Sequence, residues 1–194
     1  MVCWDKVRLI KKLTIDHQGW LLEAAKVPSP NFNCRPEHTD VSLLVIHNIS
    51  LPPNQFGGPY IRDFFANNLD VTHHPYFEEI ADLNVSAHFL IDRQGVLTQF
   101  VSCDARAWHA GESCHEGVDN CNNYSIGVEL EGADETPYSS RQYEMLVSLT
   151  QSLMSHYPAI TKQRIVGHSA IAPDRKTDPG SAFDWRRFYT ALEV

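Results

Sequence analysis

The hydrophobic positions along the chain fall into short apolar or alternating runs, separated by segments rich in proline, glycine and asparagine. Runs of this length with β-branched residues and period-two alternation are typical of strands. In YSIGVELEG the apolar side chains alternate with Gly127, Glu129 and Glu131, so this second set shares one side of the strand. We expect strands at VSLLVIHN (41–48), VSAHFLID (85–92), VLTQFVS (96–102), YSIGVELEG (124–132) and QRIVGH (163–168), with a hairpin across the link RQG.

Helical periodicity is strongest over residues 139–157, where apolar side chains recur on one side of the predicted helix. Ser139 and Gln142 form a capping-box pattern, which predicts the start of this helix. Shorter helices are predicted over GWLLEAAKV (19–27), residues 60–69 and FDWRRFYTAL (183–192). Helices and strands mix without a strict βαβ order. We therefore predict an α/β (α+β) fold with a central mixed sheet and helices packed on it.

The length and composition restrict the class of protein. A chain of 194 residues suits one domain, which we expect over residues 19–194, with residues 1–18 as a loosely attached extension. The net charge of −8 and the lack of a large basic cluster predict no nucleic-acid partner.

No apolar run approaches a membrane span, and the first residues lack the features of a secretory signal, so a cytoplasmic protein without a membrane partner is expected. Five cysteines at irregular spacing predict free thiols. Nothing indicates an obligate protein partner.

Candidate chemistry begins with two histidines that end predicted strands, His47 and His168, where functional groups of α/β proteins commonly gather. Asp178 follows ten residues after His168. Two neutral imidazoles and a carboxylate suit a catalytic zinc, with the fourth position left for water. Glu129 is a candidate for proton transfer, and Lys176 for stabilising an oxyanion. Alone this set is weak, because a chain with ten histidines gives such triples by chance and a strand-end histidine more often bonds to the backbone.

Six motifs occur in order along the chain, from about Trp20 to Phe188: LLVIHNISLPPNQFGGPYI, HPYF, VSAHFLI, RAWHAGES, YSIGVELEG and GHSAIAPDRKTDPGSAFDW. Together they resemble the AmpD family, the cytoplasmic anhydro-N-acetylmuramyl-L-alanine amidases. That family lies within the superfamily of zinc-dependent amidases, which also includes the peptidoglycan recognition proteins. Each motif alone is moderately specific, whereas the ordered set is highly specific.

The resemblance implies one zinc ion per chain, bound by His47, His168 and Asp178. It also implies Glu129 as the catalytic acid and base, and Lys176 as the residue that stabilises the oxyanion. The residues implied around the substrate cleft are Asn48, Tyr76, His88, Trp108 and His109. The implied reaction is hydrolysis of the amide between the lactyl group of an anhydro-muramic acid and the L-alanine of a stem peptide. Such enzymes recycle cell-wall muropeptides and thereby restrain β-lactamase induction where that circuit exists.

Simpler interpretations stay open at this point. Tyr76 and Trp108 are equally compatible with core aromatics, His88 with a buried, hydrogen-bonded histidine, and Glu131 with a solvated carboxylate. A non-catalytic peptidoglycan-binding module is disfavoured, because such modules typically lack a full set of metal ligands. An extracytoplasmic amidase acting on intact peptidoglycan would need an export signal, and the start of the chain does not resemble one.

Overall fold

A six-stranded mixed sheet forms the centre of the fold in the computed structural model, which describes residues 13–193. The strands of these residues are β1 (Ala25–Lys26), β2 (Phe32–Cys34), β3 (Leu43–Ile49), β4 (Phe89–Ile91), β5 (Leu97–Gln99), β6 (Ala105–Ala107), β7 (Cys114–His115), β8 (Val118–Asp119), β9 (Ser125–Glu131) and β10 (Ile165–Gly167). The central sheet has the order β1-β5-β4-β9-β3-β10, while β2 pairs with β6 and β7 with β8. β3 is parallel to both β9 and β10, and β4 and β5 form the predicted antiparallel hairpin.

Helices pack around this sheet, as the fold-class prediction requires. Their bounds are α1 (Tyr60–Phe65), α2 (Tyr76–Ile80), α3 (Ser140–His156), α4 (His168–Ile171) and α5 (Trp185–Leu192). The predicted capping box of α3 is present: the Ser139 hydroxyl accepts from the Gln142 amide, and the Gln142 side chain accepts from the Ser139 amide. The observed mixed sheet with packed helices confirms the predicted fold class.

The alternation along β3 and β9 determines which side chains face the functional side of the sheet. Leu44 and Ile46 point into the core formed with α3 and α5, together with Ile126, Val128 and Leu130. Because successive strand residues face opposite sides, His47 points away from that core. The parallel register pairs His47 with Glu129. Two predicted site residues are therefore neighbours on the face turned away from α3.

The predicted helix over residues 19–27 is wrong, because contacts with a distant side chain replace its local hydrogen bonds. Gly19 has φ +72°, which is incompatible with a helix. The side-chain oxygen of Gln99 accepts from the Leu21 amide at 2.7 Å, and its nitrogen donates to the Gly19 carbonyl at 2.9 Å. The segment forms turns, and only Ala25–Lys26 is regular, as an edge strand.

The N-terminal segment of the described chain packs on the domain. Leu13 is 4% exposed and belongs to the main core, and its amide donates to the Ser152 hydroxyl at 3.3 Å. Ile15 forms an antiparallel bridge with Leu21. The rest of the predicted extension, residues 1–12, lies outside the described residues. Between residues 13 and 193, no helix combines the length and apolar character needed to cross a membrane.

Arg35 follows β2 and is a half-buried arginine whose guanidinium is surrounded by backbone carbonyl groups. Its guanidinium donates to the carbonyl oxygens of Cys103, Asn122, Asn123 and Ser125, at 2.9–3.3 Å. Burial lowers the pKa of Arg35 to about 10, so the group still carries its charge at neutral pH. These bonds tie the segment after β2 to the loops that lead into β6 and β9.

Replacing Arg35 by methionine is expected to lower the free energy of unfolding by about 3–5 kcal/mol, because the buried carbonyl groups lose a charged donor. For a domain of this size the melting temperature should fall by roughly 6–20 °C. Arg62→Met is the matched control, since Arg62 is partly exposed and pairs with Asp92 at 3.4 Å. Such a pair contributes about 0–1 kcal/mol. Equal losses for both variants in denaturant unfolding would contradict the anchoring role of Arg35.

Candidate active site and metal centre

The three predicted metal ligands lie together at one edge of the central sheet. His47 is on β3, His168 begins α4 directly after β10, and Asp178 lies in the following loop. The parallel pair Ile46 and Gly167 comes immediately before the two histidines, which places their side chains side by side. His47 Nδ1 lies 3.0 Å from His168 Nδ1, and Asp178 Oδ2 lies 3.1 Å and 3.0 Å from these two nitrogens. The structure thus brings the predicted ligand atoms to one point.

Close backbone packing places Asp178 against His168. The amide of Ser169 donates to the Asp178 carbonyl at 3.0 Å. Gly167 permits this approach, because a Cβ atom there would lie 2.7 Å from Cδ of Pro179. The Tyr138 hydroxyl donates to the Pro179 carbonyl at 2.8 Å and so holds the loop from the other side. The glycine and proline of the last motif therefore have a structural role in positioning the predicted ligands.

Hydrogen bonds on the far sides of the two imidazoles determine which nitrogen carries the hydrogen. His168 Nε2 lies 3.1 Å from the Ala110 carbonyl oxygen, which can only accept, so Nε2 is protonated and Nδ1 presents a lone pair. His47 Nε2 lies 2.9 Å from His109 Nδ1. Burial lowers the pKa of His47 to about 4, which favours its neutral form. Two imidazole nitrogens and a carboxylate oxygen therefore face one another.

This donor set fits zinc. Imidazole and carboxylate donors bind zinc at about 2.0–2.2 Å, and a tetrahedral arrangement then separates the donor atoms by about 3.3–3.6 Å. The observed separations of 3.0, 3.1 and 3.0 Å lie a few tenths of an ångström below the lower end of this range. Lone pairs that converge at such short distances are stabilised by a cation between them.

Glu129 lies next to His47 and presents an unused carboxyl oxygen. The residue is 8% exposed, and among the described residues its Oε2 atom has no hydrogen-bond partner. Burial, followed by the negative charge of Asp178, raises the pKa of Glu129 well above its usual range, and the charge of Lys176 partly opposes this rise. A carboxyl group whose pKa is raised by burial suits general acid–base catalysis.

A cleft of about 400 Å³ opens beside these groups. Its polar end contains His47, Glu129, His168, Lys176 and Asp178. The rest of its wall is largely apolar and includes Leu51, Pro53, Phe64, Phe65, Ile80, Leu83 and Val85. A cleft of this size with apolar walls and polar groups that converge at one end is typical of small-molecule sites.

The predicted substrate residues divide into two groups. Those that line the cleft are Asn48, Tyr76, Trp108 and His109. Asn48 also donates to Asp134 Oδ1 at 2.8 Å. His88 does not line the cleft: it is 0% exposed, and its Nδ1 accepts from the Gly127 amide at 3.0 Å. The structure places His88 behind the cleft wall, in agreement with the simpler interpretation of a buried, hydrogen-bonded histidine.

Comparison with known protein families identifies the class of this site. A family model described as N-acetylmuramoyl-L-alanine amidase matches residues 37–181, a range that includes the three ligands, Glu129 and Lys176. The chain belongs to this amidase family. It is 56% identical over 174 residues to the 1,6-anhydro-N-acetylmuramyl-L-alanine amidase AmpD of Enterobacter cloacae, a match that covers 90% of this chain and 92% of that protein.

Solved structures of amidases agree with this assignment. The crystal structure of an AmpD derivative matches with a TM-score of 0.89 and 52% identity, over 92% of this chain and 99% of that chain. AmpDh3 of Pseudomonas aeruginosa, solved in complex with an anhydromuramic pentapeptide, matches with a TM-score of 0.58 and 25% identity. That match covers 92% of this chain and 66% of that chain. The predicted family and enzyme class are confirmed.

Some residues that support the amidase site were not predicted from the sequence. Asp134 accepts hydrogen bonds from Asn48 and Thr177, and so links the cleft wall to the loop that carries Lys176 and Asp178. Gly180 has φ +80°, and any Cβ atom there would overlap the backbone of Asp134. A glycine in a functional loop is a sequence sign of such a close approach, but it does not reveal the partner.

Glu131 is also part of the structure around the site. It is 3% exposed, and its two oxygens accept from the backbone amides of Gly57 and Arg93 at 2.6 Å and 3.0 Å. The hypothesis of a solvated carboxylate is therefore wrong. Glu131 joins the loop after β3 to the turn after β4, whereas Glu129 Oε2 has no such partner among the described residues.

Proposed function

We propose that this amidase hydrolyses the bond between the lactyl group of anhydro-N-acetylmuramic acid and L-alanine in muropeptides, as a zinc enzyme of cytoplasmic cell-wall recycling. The observation that supports this best is the convergence of His47, His168 and Asp178 beside Glu129, whose buried Oε2 atom has no hydrogen-bond partner among the described residues. Hydrolysis of an amide needs both the metal centre and a carboxyl group beside it, because the attacking water has to lose a proton and the leaving amine has to gain one. The relative from E. cloacae is named for this substrate class.

His47, His168 and Asp178 would hold one zinc ion per chain. When bound, zinc lowers the pKa of a coordinated water to about 7 and polarises the carbonyl that is attacked. The contribution of the protein is to hold the donor atoms in place. The Ala110 carbonyl fixes the His168 ring, and the packing of Gly167 against Pro179 fixes the Asp178 loop.

Glu129 would transfer the proton in both halves of the reaction. Its carboxylate accepts a proton from the attacking water, while the water oxygen forms a bond to the lactyl carbonyl carbon. The same carboxyl then gives the proton to the nitrogen of L-alanine as the carbon–nitrogen bond breaks. The raised pKa of Glu129 stabilises the protonated form that links the two steps. Its free Oε2 atom can contact the reacting groups without breaking another hydrogen bond.

Lys176 would stabilise the negative charge that develops on the carbonyl oxygen. It lines the cleft, and its charge acts on both Glu129 and His47. The Lys176 amide donates to the Ala172 carbonyl at 2.9 Å, and the neighbouring Thr177 hydroxyl bonds to Asp134. A cation held in advance near the oxyanion stabilises the tetrahedral intermediate more than the planar substrate.

The remaining wall of the cleft would bind the sugar and the first residues of the peptide. Tyr76 and Trp108 line it and offer aromatic surfaces suited to the ring of an anhydro-sugar. Asn48 lines the same cleft, and its side-chain amide is held by its hydrogen bond to Asp134. We assign these three residues to substrate contact. The anhydromuramic pentapeptide bound by the P. aeruginosa relative belongs to the same substrate class.

The direct test is digestion of a purified anhydro-N-acetylmuramyl peptide by the zinc-loaded protein, followed by mass spectrometry. We expect anhydro-N-acetylmuramic acid and a peptide that begins with free L-alanine. Intact peptidoglycan sacculi serve as the comparison substrate. Equal or faster release from sacculi would favour an amidase of the intact wall, and substrate binding without cleavage would favour a binding module.

A further inference from the structure

One short segment, His109–Ala110, contacts both histidine ligands of the proposed metal centre on the side away from Asp178. The Ala110 carbonyl lies 3.1 Å from His168 Nε2. His109 Nδ1 lies 2.9 Å from His47 Nε2. In both rings the nitrogen that faces Asp178 is Nδ1, so the segment contacts the opposite nitrogen, Nε2. The segment therefore contacts each ring at its Nε2 atom, with the His109 side chain next to His47 and the Ala110 carbonyl next to His168.

The hydrogen-bond directions along this chain of groups are determined by its metal-facing end. A His47 ring that presents its Nδ1 lone pair to the metal position has to carry its hydrogen on Nε2. That hydrogen then points to His109 Nδ1, which has to accept. His109 must in turn carry its hydrogen on Nε2, which lies 3.0 Å from the hydroxyl oxygen of Ser125. The lone pair that His47 presents to the metal position thus specifies one tautomer for each imidazole, and the Ser125 hydroxyl can accept at the end of the chain.

The fold holds this segment firmly. Asn122 is 5% exposed, and its side-chain oxygen accepts from the amides of His109 and Ala110, at 3.1 Å and 2.8 Å. Ser125 is 0% exposed at the start of β9. Gly127 is the strand residue under the His109 ring, and a Cβ atom there would overlap that ring. The glycine in the alternating motif therefore marks the place where His109 packs against the sheet.

We propose that His109 is a positioning residue for the proposed zinc ligand His47: it orients the ring and favours the tautomer that presents Nδ1 to the metal, and the Ser125 hydroxyl accepts from His109 Nε2 in that arrangement. The Ala110 carbonyl does the same for His168, so one segment positions both histidine ligands. Hydrogen-bond partners of this kind raise the basicity of a ligand and typically change metal affinity by 10- to 100-fold when they are removed. This role differs from the substrate contact that the sequence motif implies for His109.

The test is the zinc affinity of the purified full chain, measured by competition with a chromophoric chelator, together with the visible spectrum of the cobalt(II)-substituted protein. His109→Leu removes the acceptor and should weaken zinc binding by about 10- to 100-fold and shift the cobalt bands. His109→Asn places its side-chain oxygen near the position of Nδ1, so it should keep an affinity and spectrum close to those of the unsubstituted protein. If His109 only filled space, His109→Asn would weaken zinc binding more than His109→Leu, because leucine fills more of the cavity than asparagine.

Gly127→Ala is the second variant, because it leaves His109 in the sequence but forces its ring away from β9. We expect the same loss of affinity as in His109→Leu. Unchanged zinc affinity in both His109→Leu and Gly127→Ala would overturn the proposal, as would equal losses in His109→Leu and His109→Asn. The inference rests on the proposed zinc centre, but its readout is metal binding. A zinc-binding protein that does not cleave muropeptides would refute the proposed function and leave this result intact.

Discussion

Glu129→Gln is expected to retain zinc while kcat falls by roughly 100- to 10,000-fold, the usual loss when a general acid–base is removed. Glutamine has nearly the same size, but it cannot accept a proton from water or give one to the leaving amine. The melting temperature should not fall, because the residue that is replaced has a buried oxygen without a partner among the described residues. Zinc content, steady-state kinetics and thermal unfolding of the same preparation measure the three quantities.

Glu131→Gln is the matched control, since it makes the same change two positions along the same strand. The Glu131 carboxylate accepts from two backbone amides, and an amide side chain can satisfy only one of them in that geometry. We therefore expect a lower melting temperature and a milder loss of kcat than in Glu129→Gln. If Glu131→Gln were inactive with an unchanged melting temperature, while Glu129→Gln kept its activity, the acid–base role would move to Glu131.

Lys176→Ala extends the same prediction to the oxyanion. Loss of one such donor typically costs about 2.7–4 kcal/mol in transition-state stabilisation, or roughly 100- to 1,000-fold in kcat. We expect kcat to fall and KM to stay nearly unchanged, because the full negative charge exists only after the water has attacked. Zinc content should stay the same, since Lys176 is not among the three ligand residues. A change confined to KM would assign Lys176 to substrate binding.

The parts of the site that the sequence could predict are those governed by local periodicity. The alternation in β9 places Glu129 on a defined face, and the apolar runs before His47 and His168 form β3 and β10. The prediction that His47 ends its strand is wrong, since β3 continues to Ile49, whereas β10 ends directly before His168. Parallel pairing of β3 with β10 then brings the two histidines together. The two strand assignments depend on short stretches of chain, and the structure agrees with them.

The parts that the sequence could not predict depend on contacts between distant segments. Gln99 forms a hydrogen bond to Leu21, 78 positions away along the chain, and a local helical pattern cannot predict such a contact. Glu129 and Glu131 share one strand face and one chemistry, and only the loop amides of Gly57 and Arg93 distinguish them. The role proposed for His109 likewise depends on which ring nitrogen faces His47, which is a matter of orientation and not of residue type.

His47→Ala is expected to abolish both metal binding and turnover, a larger effect than the loss of Glu129 or Lys176. Removing one of three protein ligands leaves two, which is fewer than catalytic zinc sites typically use. The loss should be visible without substrate. A metal that binds only the folded state stabilises it by about 4.1 kcal/mol when its concentration is 1,000 times the dissociation constant. Zinc added to the chelator-treated protein should therefore raise the melting temperature of the unsubstituted chain and leave that of His47→Ala unchanged.

His73→Ala is the matched control for this prediction, because His73 is another histidine whose side chain is 54% exposed and pairs only with Asp70 and Tyr60 among the contacts of the described residues. It should bind about one zinc per chain, show the full thermal shift and keep its activity. The comparison separates a specific ligand from the general affinity of histidines for zinc. Full zinc occupancy in His47→Ala would remove His47 from the metal centre. The proposal for His109 would then fail as well, because the ring that His109 orients would not be a metal ligand.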